Sequence, residues 1–322
     1  MNLLILSPGR RVEIVNFFKE TFHKHGDQVF TLDMSAFAPA LYSGDEFFRI
    51  DKDFSHLGSY IQKVLDICLE KKVSAILTLI DPELVLLSDY RPLFESHNIQ
   101  LILSDISFIK DTFDKFNFYN SYQHTIRLVD TVGSYQDAVQ KLSTGEWKYP
   151  LFAKLRDGSA SIGIKKIDSE TDFEVTRYND KYIYQPFVDG QEYGVDLYFD
   201  MISGKLVSAF IKKKIAMRAG ETDKAISIKS DAILDEVKKL ENLHALRGPI
   251  DVDVFVSKDG GVYVNEINPR FGGGHPHAYG CGVNFMELIY NNLEGKANDP
   301  VFNNYEENIM MLKYNGLLFR HI

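Results

Sequence analysis

The sequence predicts an α/β domain followed by an α+β body of two subdomains. Three observations predict it. Over residues 1–105 short, continuously apolar segments alternate with amphipathic ones, as in a parallel sheet covered by helices on both faces. Residues 106–190 hold a smaller set of strands around a glycine- and serine-rich turn. Residues 191–322 carry strands of alternating character with short turns, the pattern of a mostly antiparallel sheet. No internal repeat or low-complexity linker interrupts the chain, so we read three subdomains in one compact body.

In the first unit the strands are "NLLILS" (2–7), "QVFTLD" (28–33), "VSAILTLI" (73–80) and "IQLILS" (99–104), with helices over roughly 11–25, 56–72 and 82–97. In such sheets ligands sit beyond the carboxyl ends of the strands. Two stretches lie there, "SPGRR" after the first strand and "DPE" (81–83) after the third. Arg10 and Arg11, at the start of a helix, suit an anion. Asp81 before Pro82 reads first as a helix N-cap with proline at the next position. With Glu83 it reads second as a partner for an ammonium group.

A helix over 105–124 leads into the second unit. Its strands are "YPLFAKL" (149–155), "IGIKKI" (162–167) and "YIYQPFV" (182–188), with a helix near 170–179. The third unit opens with "EYGVDLYFD" (192–200) and "KLVSAFIKKKIA" (205–216), then a helix over 231–246. A hairpin of 250–256 and 262–268 follows, then a helix over 284–294 and a last strand near 309–319.

At 45% hydrophobic and 25% charged, the chain can bury cores of this size without disulfide staples. Its net charge of −9 is spread out and leaves no basic footprint for nucleic acid. Cys68 and Cys281 offer neither a disulfide framework nor metal-ligand spacing, which suits a reducing compartment. The apolar run in "MNLLILSPGRR" is short for a signal peptide, and no apolar stretch is long enough to span a membrane. A soluble cytoplasmic protein without membrane or nucleic-acid partners is the expectation.

The chemistry concentrates in "NEINPRFGGGHPH" (265–277). Side chains alternate along a strand, so Asp251 and Asp253 share a face of one hairpin strand, and Glu266 and Asn268 a face of the other. A turn centred near Asp259–Gly260 sets Asp253 opposite Glu266. Carboxylates so placed repel unless a divalent cation lies between them. Oxygen ligands from Asp, Glu and Asn suit Mg²⁺ or Mn²⁺. A solvent-exposed acidic hairpin is the plain alternative. Arg270, just past the acids, suits the charge on a phosphoryl group in transfer. The Gly272–Gly274 run lets backbone approach a ligand closely, while His275 and His277 read as loop or packing residues.

In "AKLRDGSASIGIKKI" (153–167), Lys154 stands on a strand feeding a small-residue turn. This is no P-loop, because G-x-x-x-x-G-K-[ST] is absent and no helix follows directly. Backbone N–H groups around Gly158, Ser159, Ser161 and Gly163 can still wrap phosphate oxygens, with Lys154 as a point charge. A generic hairpin with a soluble loop is the alternative. Lys115 can reach the same phosphates from the subdomain junction, or be a solvated helix lysine. "YIYQPFVDGQEYGVD" (182–196) presents a strand edge able to read adenine, then Glu192 for ribose hydroxyls; a domain-linking strand is the alternative.

In this order, Lys115, Lys154 with "RDGSASIG", "QPFVDGQE", Asp253 and "NEINPRFGGGHPH" resemble the ATP-grasp superfamily. The likeness is to its single-module members similar to the carbamoyl-phosphate synthase large subunit. "SPGRRVEIVNFFKE" and "DPELVLLSDYRPLF" resemble the N-terminal domain of that subgroup, so the likeness covers essentially the whole chain. It implies a pre-ATP-grasp domain over 1–105, a small lid subdomain over 106–190 and a C-terminal subdomain with the metal site over 191–322. It further implies that Lys115 and Lys154 contact ATP phosphates beneath the 157–163 loop. Gln185 and the backbone of Phe187 and Val188 would face adenine, and Glu192 would hold the ribose. Asp253, Glu266 and Asn268 would bind Mg²⁺ or Mn²⁺, and Arg270 and Arg218 would meet the γ-phosphate or an acyl phosphate. Two departures stand out: Gln185 replaces a frequent acid, and "KKKIAMR" carries lysines where arginines are frequent. One ATP module without a glutaminase makes carbamoyl-phosphate synthesis itself unexpected.

The activity implied is an ADP-forming ligase that activates a small-molecule carboxylate as an acyl phosphate and joins it to an amine. It would use ATP and Mg²⁺, and a homodimer is compatible with it. A phosphotransferase lacking an amine acceptor and a non-catalytic ATP-binding protein are the alternatives.

Overall fold

The computed structural model describes residues 1–157 and 163–321. Its first unit is a parallel sheet in the order β3-β2-β1-β4-β5. The strands are β1 (Asn2–Leu6), β2 (Val29–Asp33), β3 (Glu46–Arg49), β4 (Val73–Thr78) and β5 (Gln100–Leu101). β1 reads as a continuous apolar run because both its faces are covered. Leu3 and Ile5 pack with α1 (Val12–His23), whereas Leu4 and Leu6 pack with α2 (Leu57–Glu70). β3 is an edge strand with most of its residues exposed, so no apolar run announces it.

The helix expected over 82–97 is two helices, α3 (Asp81–Asp89) and α4 (Arg91–Glu95). Pro92 lacks the N–H needed to continue α3 and sits instead in the first turn of α4. The helix expected over 105–124 is likewise divided, into α5 (Ile106–Phe113) and α6 (Lys115–Tyr122). Between them Asp114 is extended and caps α6, accepting from the N–H groups of Phe116 and Asn117 at 3.0 Å each.

The second unit contains α7 (Tyr135–Ser143), β6 (Leu151–Leu155), β7 (Lys165–Ile167), α8 (Glu170–Glu174) and β8 (Tyr182–Pro186). Its antiparallel sheet, in the order β7-β6-β8, has a core of its own around Trp147, Phe173 and Tyr184. The third unit is a larger sheet in the order β13-β12-β9-β10-β11-β15, with β14 against β10. It comprises β9 (Gly190–Phe199), β10 (Leu206–Arg218), β11 (Glu221–Ile228), α9 (Asp231–Lys238), β12 (Gly248–Ser257), β13 (Val262–Asn268), α10 (Pro276–Gly280), α11 (Phe285–Leu293), β14 (Val301–Phe302) and β15 (Met310–Leu312). The last strand expected near 309–319 therefore shrinks to β15.

One face of this sheet packs Val195, Leu197, Val252 and Val254 against α9 and α5. Near one end of the other face, Tyr198 and Val207 join Phe271, Phe285 and α1 in a core shared with the first unit. The remainder of that second face carries the polar side chains described next. Among the described residues no helix is long and apolar enough to cross a membrane.

Candidate active site

The hairpin register sets Asp253 opposite Glu266 and Asp251 opposite Asn268. Across the other edge of β12, Asp251 meets Asp196 and Asp253 meets Gly194, and β10 then sets Lys212 against Gly194. Strand alternation puts these side chains on one face. One row runs Glu266, Asp253, Gly194, Lys212; the next holds Asn268, Asp251 and Asp196. Beside them Lys214 binds Glu192 at 2.7 Å and also donates to Asp253.

Glycines make room for these charges. A Cβ on Gly194 would lie 3.0 Å from Cε of Lys212 and 3.4 Å from Cε of Lys214, so its absence opens a trough for two lysine side chains. The Gly272–Gly274 run, expected to approach a ligand, lies close against the protein's own charged groups. A Cβ would fall 2.3 Å from the Asp251 carboxylate at Gly272, 2.6 Å from Glu221 at Gly273, and 2.6 Å from Cε of Lys212 at Gly274.

Burial of so many charges shifts them. Asp251 is pushed up to about 7, first by burial and then by Asp253. Burial also opposes ionisation of Asp196, yet Lys212 and His275 outweigh it and hold Asp196 down at about 2. Lys212 donates to Asp196, and both are almost fully buried. Burial works against the Lys214 ammonium too, but Asp253 and Glu192 outweigh it and keep it protonated. The face concentrates carboxylates, and lysines answer those of Asp196, Glu192 and Asp253.

Lys115 and Lys154 arrive at this face from outside the sheet. The Lys115 ammonium lies 3.5 Å from Glu266, and Lys154 donates to Asn265 Oδ1 at 2.9 Å. Burial lowers the Lys154 pKa, with Glu266 opposing. Two clefts adjoin here, sharing Thr112, Lys115, Glu266 and Ile267. One is lined by Lys154, Gln185 and Thr131; the other opens toward Asp81, Phe113 and Asn268.

The remaining predicted residues divide. Gln185 is buried at the cleft, its amide donating to Thr131 Oγ1 at 2.9 Å. Phe187 gives its N–H to the carbonyl of Pro150 at 3.1 Å, which leaves its own carbonyl for a base. Val188 lies half-buried between β8 and β9. Arg218 is not brought to the acids; half-exposed, it pairs with Asp223 at 2.9 Å. Gly158, Ser159 and Ser161 lie outside the described residues, while Gly163 has φ +74° and closes against Leu155.

Asp81 opens α3 without a side-chain cap bond, which corrects the cap expectation. It grips Arg270 instead, at 2.9 Å to Nε and 3.1 Å to Nη2. Arg270 also donates to Asn268 at 3.2 Å. Glu83 does meet an ammonium, that of Lys52 at 2.8 Å, and accepts from Tyr60 and Thr78. Arg10 and Arg11 each stand 3.6 Å from Glu221, which Lys313 approaches to 3.3 Å. His275 and His277 are buried among Phe271, Phe285 and Phe210, in keeping with a packing role.

Sequence reasoning passed over Lys212, Lys214, Asp196 and Glu221 as site residues. The signal for the first three was present: "GVD" (194–196) and "KKK" (212–214) both place polar or small residues two apart, as in the acidic hairpin. Nothing local links Glu221 to Arg10, some two hundred residues away.

Two opposed carboxylates and an amide, with ammonium groups already drawn to them, are a donor set that fits a hard divalent cation. Among the described residues no cluster of three or more His, Cys, Asp or Glu forms a metal site, and this set contains two.

Residues 114–274, half of the chain, match the family described as ATP-grasp domain. The chain belongs to the ATP-grasp family. Residues 3–102 of this ATP-grasp protein match the family described as PylC-like, N-terminal domain. Solved structures share its fold. N5-carboxyaminoimidazole synthetase from Staphylococcus aureus is 17% identical with a TM-score of 0.72, over 94% of this chain and 78% of that one. The biotin carboxylase domain of the Hydrogenobacter thermophilus 2-oxoglutarate carboxylase, in complex with MgADP, ADP and bicarbonate, is 16% identical with a TM-score of 0.74, over 96% and 73%. L-amino acid ligase from Bacillus licheniformis is 18% identical with a TM-score of 0.66, over 92% and 75%. At such identities the likeness is one of fold. No curated protein sequence matches this ATP-grasp chain.

Proposed function

We propose that this ATP-grasp protein is an ADP-forming, Mg²⁺-dependent ligase that activates a carboxylate as an acyl phosphate and joins it to an amine. The single observation that carries the reading is the Asp253–Glu266 pair, with Lys115 at 3.5 Å from Glu266 and a cleft running from it to Gln185. An L-amino acid ligase and a carboxylase domain holding MgADP share the fold, which supports it.

In this reading the nucleotide lies in the Gln185 cleft, and Lys115 and Lys154 supply point charges to its phosphates. Asp253, Glu266 and Asn268 hold the cation, which when bound neutralises charge on the transferring phosphoryl group. Arg270, oriented by Asp81, meets the same charge from the side of the first unit. Arg10 and Arg11 offer an anion site at the mouth of β1 for the substrate. A substrate carboxylate oxygen attacks the γ-phosphorus, the bond to ADP breaks and ADP leaves. The amine nitrogen then attacks the acyl carbon, phosphate leaves with the bonding electrons, and the nitrogen gives up a proton. No protein nucleophile is needed; positioning and charge do the work.

The test is incubation with ATP, Mg²⁺ and pooled amino acids. ADP, phosphate and an amide product support the ligase. A phosphorylated product without amide indicates a phosphotransferase, and nucleotide binding without turnover a binding protein. Glu266→Gln should abolish Mg²⁺-dependent turnover with the melting temperature within a few degrees of wild type. A large fall in that temperature would make the acids structural.

A further inference from the structure

Lys214 has no part in the chemistry above, yet its ammonium bridges two acids of this face. It reaches there from β10 through the trough left by Gly194, and its side chain is only 6% exposed. The Nζ binds Glu192 Oε1 at 2.7 Å and donates to Asp253 Oδ1. It therefore joins a carboxylate read as a ribose contact to one read as a metal ligand. The two acids are more open to solvent than the lysine, at 32% and 18%, so they are the sides of the pair that a ligand meets. The nearby cations are otherwise engaged. Lys212 is held by Asp196, and Lys154 by Asn265.

We infer that Lys214 is an internal competitor of the divalent cation, making metal binding at Asp253 depend on the nucleotide. The inference rests on Asp253 being a metal ligand. A cation approaching Asp253 must displace an ammonium that is buried and cannot follow it into water. Without Asp253, that ammonium keeps Glu192 as its remaining ion-pair partner and is less well neutralised. A polyphosphate supplies the missing anion, so Lys214 can turn from Asp253 to phosphate as the metal arrives. Metal and nucleotide then bind with positive coupling, which is reciprocal by linkage. A lysine with a purely structural role would act oppositely: its loss would loosen the face and weaken metal binding.

The experiment is titration of the full chain with Mn²⁺, followed by electron paramagnetic resonance, with and without a non-hydrolysable ATP analogue. Wild type should bind Mn²⁺ weakly alone and more tightly with the analogue. Lys214→Met should bind Mn²⁺ alone about tenfold or more tightly than wild type, because Asp253 and Glu192 lose their counter-charge. The tightening that the analogue confers should shrink by a similar factor. Lys214→Arg, which keeps the charge, should stay near wild type. Should Lys214→Met not fold, Lys214→Gln keeps a hydrogen-bond donor and carries the same expectation. Unchanged or weaker Mn²⁺ binding by the neutral variant alone overturns the inference while leaving the metal site standing. Failure of wild type to bind Mn²⁺ even with the analogue overturns the metal reading, and the inference with it.

Discussion

Lys154 shows what a single residue contributes and how far a sequence reveals it. Its place before a glycine-serine turn suggests a phosphate contact, and the fold adds that the side chain is partly buried and tied to Asn265 at 2.9 Å. A charge-assisted hydrogen bond to phosphate in such a site is worth roughly 1.5–3 kcal/mol. Lys154→Met should thus weaken nucleotide binding about 10- to 200-fold by calorimetric titration, and wild-type affinity in that variant would remove Lys154 from the nucleotide site. His277 offers a second test. Burial, then Lys212, pushes its pKa down to about 4, against a hydrogen bond to the Ile309 carbonyl at 3.0 Å. Its folded value lies below its unfolded value of about 6.5, so the unfolded chain binds the proton first as pH falls. The stabilisation is full above about pH 6.5 and is lost toward pH 4, at about 1.4 kcal/mol per unit. Urea unfolding of His277→Gln across that window should show a shallower pH dependence than wild type; an identical slope would assign the effect elsewhere. The pairing that buries His277 comes from Phe210 and Ile309, and no local pattern predicts it.

Elements were legible where burial writes a period into the chain. The apolar runs of β1, β2 and β4 and the alternation of β12 and β13 could be read directly, and the hairpin register followed from its turn. β3 and β11 could not, because an edge strand and a strand as polar as "ETDKAISI" carry too little apolar signal. Helix breaks were missed for another reason: apolar spacing runs through Pro92 and Asp114, whereas the backbone obeys the missing N–H and the cap. Asp114 matters to the site because Lys115 follows it. It caps α6 and binds Arg156 Nε at 2.6 Å. Asp114→Ala should cost about 1–2 kcal/mol of stability in chemical unfolding. It should also weaken nucleotide binding, as Lys115 loses its fixed place at the helix start. Unchanged affinity would separate the cap from the site.

At the scale of the whole molecule, the first and third units share a core of Phe18, Phe22, Phe271 and Phe285, whereas the second unit keeps its own. The Asp81–Arg270 pair spans the same junction and ends at Asn268. Asp81→Ala would leave a guanidinium largely buried and short of a partner, at a cost of about 3 kcal/mol or more. Asp81→Ala with Arg270→Met should recover much of that loss, because the orphaned charge is gone. Thermal unfolding of the four proteins in this cycle decides it, and strict additivity would mean the two residues do not hold each other. The chain's order of apolar and polar residues was enough for the α/β then α+β class, the parallel and antiparallel sheets, and the hairpin that faces Asp253 with Glu266. Those features follow from periods of a few residues, which a linear string carries. Only the tertiary structure decided that Gly194 and Gly274 make way for Lys212, that Lys214 joins Glu192 to Asp253, and that Asp81 grips Arg270 rather than capping its helix. Each of these joins residues far apart in the chain. Their charges must find partners because burial makes an unpaired ion too costly, and which partner is within reach depends on how the sheets and helices pack.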